Sequence, residues 1–300
     1  MARWLMAVCA LLAQGLAAPD ARAGDPGAAA FVYYQDPNDN SQRNDYAWRL
    51  LAMALEHTKA AYGPFTLGPA SVAEERPNAN SLLNGIGGIT VSVSAAPMTL
   101  PGKIIPVRFP IDRGMLGFRV LEIREGDQGR FDPVAALDDL KATRICSMGF
   151  WGDTAIMRHA GLTVVPGDSF EGLFKMMRAG RCDAVTRGYG EAIREMAERP
   201  WGNAAVAIER HVLLHYPMPV YFWFRNTPEG RKSAARVEAG LWAMQADGSF
   251  EAFFRRAFAE TIARIEHDRR RVIELDNPLL GDQEPLKDQR LWYRPAYSPN

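Results

Sequence analysis

Two glycine-punctuated turns hold the residue types in this chain best suited to chemistry. Arg187-Gly188-Tyr189-Gly190-Glu191 sets a guanidinium, a phenol and a carboxylate side by side. Gly149-Phe150-Trp151-Gly152-Asp153-Thr154 precedes a helical segment, and the backbone N–H groups at such a start suit an anion. Gly-rich turns also serve only to reverse a chain, and pattern alone leaves that reading open. Arg108 and Arg113 can pair carboxylate or phosphate groups in bidentate fashion, or form surface ion pairs. Arg43, Asn44 and Asp45 stand where a helix begins, so they are ligand contacts, or Asn44 and Asp45 cap the helix.

Catalytic signatures do not emerge. There is no Gly-x-Ser-x-Gly elbow, Walker loop or HExxH. His211 and His215 share a face with Glu209, but a tetrahedral zinc site needs three or four ligands. We therefore expect no metal, no cofactor and no catalytic set. Glu191 could be a general base if burial raised its pKa, or an acceptor for a ligand ammonium; spacing does not separate these uses.

The elements that must position these turns follow from periodicity. Arg144 to Ser147 reads as a strand, a helix then runs to Gly161, and Leu162 to Val165 is a second strand. Asp168-Ser169-Phe170-Glu171 has capping-box form and opens a helix with Phe170, Leu173, Phe174 and Met177 on one stripe. Cys182 to Thr186 is a third strand. Strand, helix, strand, helix, strand at this spacing is a parallel α/β unit, and open sheets of that kind bind ligands beyond their strands' carboxyl ends.

The run "LKATRICSMGFWGDTAIMRHAGLTVVPGDSFEGLFKMMRAGRCDAVTRG", with "HYPMPVYFWFRNTPEGRKSAARVEAGLWAMQADGSFEAFF" after it, resembles the family-3, polar amino-acid type of bacterial periplasmic solute-binding proteins. The likeness lies in the order of the pieces and covers most of residues 25–260. It implies a type II periplasmic-binding-protein-like α/β fold: two lobes, each a mainly parallel sheet flanked by helices, joined by two hinge crossovers. The implied lobes are 25–118 plus 216–271 and 119–215. A ligand would lie between them, in reach of Arg43, Asp45, Arg108, Arg113, Gly149, Trp151, Gly152, Asp153, Thr154, Arg187, Tyr189, Glu191 and Tyr221. Such a receptor binds an amino acid or related carboxylate, works as a monomer, and serves an ABC-type transporter or a sensor protein. Exported dehydratases built on the same two lobes make an enzyme the alternative, and a non-transport interaction module that uses the C-terminal tail is another.

Composition fits this picture. Lys+Arg and Asp+Glu are both 35 in 300 residues, so no global field points to nucleic acid or an acidic membrane. Arg3, the apolar run Leu5 to Leu16 and Ala21-Arg22-Ala23 form a signal peptide over 1–23, cleaved near Ala23 for export to the periplasm. No other stretch is apolar enough for stable membrane insertion. Cys146 and Cys182 fall on neighbouring parallel strands, where bridge geometry is uncommon, so two buried thiols are expected over a disulfide.

Elsewhere, Asp45 to Gly63 reads as a helix. In Tyr221 to Phe224, alternation sends Tyr221 and Trp223 to one face and Phe222 and Phe224 to the other. Ser249 opens one long helix with Phe250, Phe254 and Ile265 on its stripe, closed by Arg269-Arg270-Arg271. The tail, 272–300, departs from the family pattern and reads as an extended strap packed on the lobes, anchored by Leu279, Leu280, Leu291 and Trp292.

Overall fold

The computed structural model describes residues 27–35, 45–70, 79–97, 100, 102–198 and 205–296. The expected signal segment and Arg43 lie outside the described residues. In chain order the first elements are β1 (Ala29–Tyr33), α1 (Asp45–His57), α2 (Lys59–Tyr62), β2 (Phe65–Pro69), α3 (Ala79–Asn84), β3 (Val91–Ala95) and β4 (Ile104–Pro106). There follow β5 (Phe118–Arg124), α4 (Leu137–Leu140), β6 (Arg144–Met148), α5 (Gly152–His159), β7 (Thr163–Gly167), α6 (Phe170–Arg178), β8 (Ala184–Gly188) and α7 (Tyr189–Glu198). The chain continues through β9 (Val206–Ile208), β10 (Val212–His215), β11 (Val220–Arg225), α8 (Pro228–Asp247), α9 (Ser249–Ala257), α10 (Ala259–Asp268) and β12 (Arg271–Glu274).

The first lobe is built on the antiparallel sheet β3-β11-β4 and the parallel pair β1-β2. Helix α1 buries Leu50, Leu51, Ala54 and Leu55 against Val237, Leu241 and Met244 of α8. The two helices meet closely because of Gly240, where a Cβ would fall 2.1 Å from the Ala54 carbonyl oxygen. Strand β11 alternates as its sequence requires: Phe222 and Phe224 enter this core, while Tyr221 and Trp223 face a smaller cluster with Leu82 and Ile104.

The second lobe holds a seven-stranded sheet in the order β12-β10-β5-β8-β6-β7, with β9 beside β5. The unit β6-α5-β7-α6-β8 gives its parallel pairs, β6-β7 and β6-β8, as the spacing predicts. The incoming crossover strand, β5, runs antiparallel to β8, β9 and β10. Helix α6 is capped one residue later than expected: the Ser169 hydroxyl accepts from the Gly172 N–H at 3.2 Å.

Residues 107–117 and 216–219 carry the chain between the lobes, and one buried carboxylate ties them together. Asp112 accepts N–H bonds from Gly114 at 3.1 Å, Leu116 at 2.9 Å and, where the other crossover enters β11, Val220 at 3.4 Å.

The chain also passes between the lobes a third time. The single helix expected from Ser249 breaks at Phe258 into α9 and α10. Phe254 and Ile265 on their stripe dock against Val120, Leu213 and Tyr189 of the second lobe. Helix α10 ends at Asp268, and β12 then pairs in parallel with β10. The arginines read as a helix-closing trio therefore part company. Arg269 takes a left-handed φ of 44°, whereas Arg270 is buried and donates to the Glu209 carbonyl and, at 3.2 Å, to the Tyr189 hydroxyl.

The expectation of two free thiols is corrected: Cys146 and Cys182 form a disulfide, with Cα atoms 5.8 Å apart. Cys182 precedes β8 and stands off the strand ladder, so the poor geometry of directly paired parallel strands does not apply to it. Among the described residues no helix is long and apolar enough to cross a membrane.

Candidate functional site

The second lobe offers the start of α5. Gly149, Trp151 and Thr154 spend their N–H groups on the carbonyls of Gly167, Met148 and Trp151. The Thr154 hydroxyl donates to Met148 O at 2.8 Å, locking the turn. The N–H groups of Gly152 and Asp153 have no acceptor among the described residues. The Asp153 side chain is buried, accepts from the Tyr216 hydroxyl and pairs with Arg119 Nη2 at 2.7 Å.

Beside it lies a second buried pair. Arg187 Nε donates to Glu195 Oε2 at 2.9 Å, and its guanidinium sits 4.9 Å from the Trp151 ring and 5.0 Å from Phe170. Glu191 links the two pairs, 3.6 Å from Arg119 and 3.3 Å from Arg187, and accepts the Gly188 N–H at 3.0 Å. Gly188 is needed for that approach, since a Cβ there would meet Glu191 Oε2 at 2.9 Å. Glu122 completes the cluster, fully buried with both oxygens unpartnered among the described residues. Burial, then the nearby Glu195 charge, raises its pKa well above the usual carboxylate range. Asp153, Glu191 and Glu195 already outnumber the two guanidiniums of Arg119 and Arg187, an arrangement that favours a further cation over a further anion near Glu191.

Sequence grouping placed Tyr189 with Arg187 and Glu191; the structure separates it. Its hydroxyl donates to Asp268, and its ring, under Arg270, lines a different cavity of about 510 Å³ with Arg210, Arg264 and His267. Burial is the main cause raising its phenol to about 12. Asp45 opens α1 with its side chain half exposed, 3.7 Å from Arg49. His211 and His215 are engaged singly, with Val134 O at 2.8 Å and Glu274 at 2.7 Å.

The first-lobe contacts are met by the tail. The Tyr221 hydroxyl donates to the Glu284 carboxylate, and Arg108 Nε stands 4.0 Å from the same group. Arg113 pairs with Glu251 and donates to the carbonyls of Arg290 at 3.2 Å and Trp292 at 3.3 Å. Trp292 lies over Gly114, where a Cβ would come within 2.6 Å of the ring. Leu279 approaches the start of α5: a Cβ on Gly152 would lie 3.4 Å from its Cδ1 and 3.8 Å from Met218. Asn277 fixes the strap to the second crossover by donating to Pro217 O at 2.8 Å. The strap thus touches both halves beside Arg108, Arg113, Gly152 and Tyr221.

Sequence reasoning missed Arg119, Tyr216, Glu195 and Glu284. A signal existed for Arg119 and Glu122, because charges inside the apolar run Phe118 to Ile123 must be buried and partnered or neutral. Glu284 had none, since its partners lie far away in sequence.

No protein-family model matches this chain, and no curated protein matches its sequence. Among solved structures, a mutant of ArgBP from T. maritima is similar at 16% identity over 78% of this chain and 96% of that one, with a TM-score of 0.47. The unliganded L-cystine solute receptor of Neisseria gonorrhoeae is similar at 13% identity over 77% and 92%, with a TM-score of 0.45. The periplasmic VFT2 domain of Bordetella pertussis BvgS is similar at 13% over 77% and 93%, with a TM-score of 0.47. The two-lobed α/β architecture stands on the chain's own sheets and cores.

Proposed function

We propose that this chain is an exported binding protein that takes a small polar solute, an amino acid or related carboxylate, in the seam between its lobes. One observation carries the reading: Tyr221 and Arg108 converge on a carboxylate, that of Glu284, supplied by the strap. A guanidinium and a phenol so placed form a receptor for a carboxylate group. A solute carboxylate would take the place of Glu284, with the Gly152 and Asp153 N–H groups across the seam, and a solute ammonium would add to the contacts Glu191 already makes with Arg119, Arg187 and the Gly188 N–H. Arg113 and Arg187 then act as supports, one clamping the strap and the other backing Glu191. Closure over the solute would favour the state in which both lobes touch it. The solute would pass to a membrane transporter, or its presence would be reported to a sensor.

Binding is favoured over catalysis because Glu191, the base a dehydratase would use, is already engaged by Arg119, Arg187 and the Gly188 N–H. A thermal-shift screen of amino acids and organic acids tests the proposal. A solute at a hundred times its dissociation constant stabilises by ~2.7 kcal/mol. A shift that grows in Glu284→Gln supports the seam, and no shift in either protein sinks it.

A further inference from the structure

A separate observation in the first lobe concerns Arg236 of α8. Its side chain is 2% exposed and packs 5.2 Å from the Phe65 ring and 5.9 Å from both Phe31 and Tyr62. Nε donates to Thr58 at 3.2 Å and Nη2 to the carbonyls of Gly63 at 2.8 Å and Leu55 at 3.4 Å. Nη1 has no partner, and no carboxylate pairs with this guanidinium among the described residues. A buried cation with no paired carboxylate is costly, and burial lowers the pKa of Arg236, opposed by Tyr62 and by the Glu56 carboxylate at longer range. An arginine stays charged nonetheless, so its field adds to that of the other cations around it.

Arg236 lines a cavity of about 360 Å³, and two more cations, Arg225 and Lys232, line it too. Neither forms an ion pair among the described residues. Glu229 is the carboxylate on the wall; it is exposed and engaged by its own backbone and by Thr227 at the start of α8. The lining therefore carries three cations against one carboxylate, with Phe31 and Tyr62 as an apolar side. The volume is in the lower part of the range of small-molecule sites, room for a compact molecule with a charged head.

We propose that this cavity is a second binding site, distinct from the seam, for a small molecule bearing an oxyanion, either a carboxylate or a phosphate. The more exposed Arg225 and Lys232 would hold the oxyanion, with the Arg236 charge behind them adding to the field, and the aromatic side would cover the rest. The site lies on the first lobe alone, so its occupancy does not depend on the strap.

Calorimetric titration of the full exported chain with inorganic phosphate, and separately with benzoate, tests the assignment. Arg225→Gln combined with Lys232→Gln removes two charges from the wall and leaves the packed Arg236 in place, so folding is preserved. At least one probe should bind with a stoichiometry of one. The double variant should bind it about tenfold more weakly; Glu284→Gln should leave phosphate binding unchanged, and any benzoate binding gained in Glu284→Gln belongs to the seam. Phosphate alone binding identifies a phosphate head, and benzoate alone a carboxylate. Failure of both probes to bind, or equal binding by the double variant, overturns the proposal. Because the seam is read through Glu284→Gln, failure of one site is separable from failure of the other.

Discussion

Arg119 and Asp153 form an ion pair at 2.7 Å with side chains only 2% and 4% exposed, joining β5, the first strand of the second lobe, to the start of α5. The Tyr216 hydroxyl, from the returning crossover, donates to the same carboxylate. The pair thus couples the geometry of the α5 N-terminus to the crossover. Asp153→Ala would leave the Arg119 charge buried beside a more distant Glu191. We expect a loss of about 3–5 kcal/mol by urea unfolding, against about 1.5–3 kcal/mol for Tyr216→Phe, which removes one hydrogen bond to a charged group.

Buried acids set the pH response. Burial pushes the Asp112 carboxyl up from 3.8 to about 6, and Glu122 is raised well above its ordinary value. In the unfolded chain both lose their protons first. Stability is therefore full below their ordinary values and falls as pH rises through the folded ones. The melting temperature should decline from pH 5 to 8, and Glu122→Gln should flatten much of that decline. A Glu122→Gln profile parallel to wild type would show that this carboxyl does not titrate with folding.

The disulfide between Cys146 and Cys182 closes a loop with a sequence separation of 36. Loss of such a bridge typically costs about 2–5 kcal/mol. Paired alanine substitutions should lower the melting temperature in oxidising buffer, and reductant should lower the wild type but not the variant. A wild-type chain that reacts with thiol reagents before unfolding would contradict the bridge.

Gly114 has a φ of +73° and lies under Trp292. Alanine there would be strained and would collide with the ring, lifting the strap where Arg113 clamps it. Gly114→Ala should therefore raise hydrogen exchange at residues 285–293 more than in the first-lobe core. Uniform exchange across the chain would mean that the strap is not held at this point.

The elements of the second lobe were legible because Leu173, Phe174 and Met177, or Val185 and its neighbours, bury their apolar faces at the period of their element. The same held for Phe222 and Phe224 in β11. The stop at Phe258 was not legible: the apolar stripe runs on through it, and only docking of Ile265 on the second lobe requires two helices. The contacts of the candidate residues were legible only in part. Glycine and charge marked Gly152, Arg187 and Glu191, but pattern could not show that Arg187 also meets Glu195, one turn farther along α7. Nor could it show that Tyr189 turns toward Asp268. Arg108 and Tyr221 carried no local sign of sharing Glu284, because that meeting depends on how the strap crosses the lobes.

The central claim is that Tyr221 and Arg108 form a carboxylate receptor now filled by Glu284. Calorimetric titration of the acids most effective in thermal shift, into wild type and Glu284→Gln, tests it most directly. The account predicts affinity at least about tenfold tighter in Glu284→Gln, lost again when Arg108→Gln is added. Equal affinity in wild type and Glu284→Gln, or no heat of binding from any acid in either protein, would contradict it.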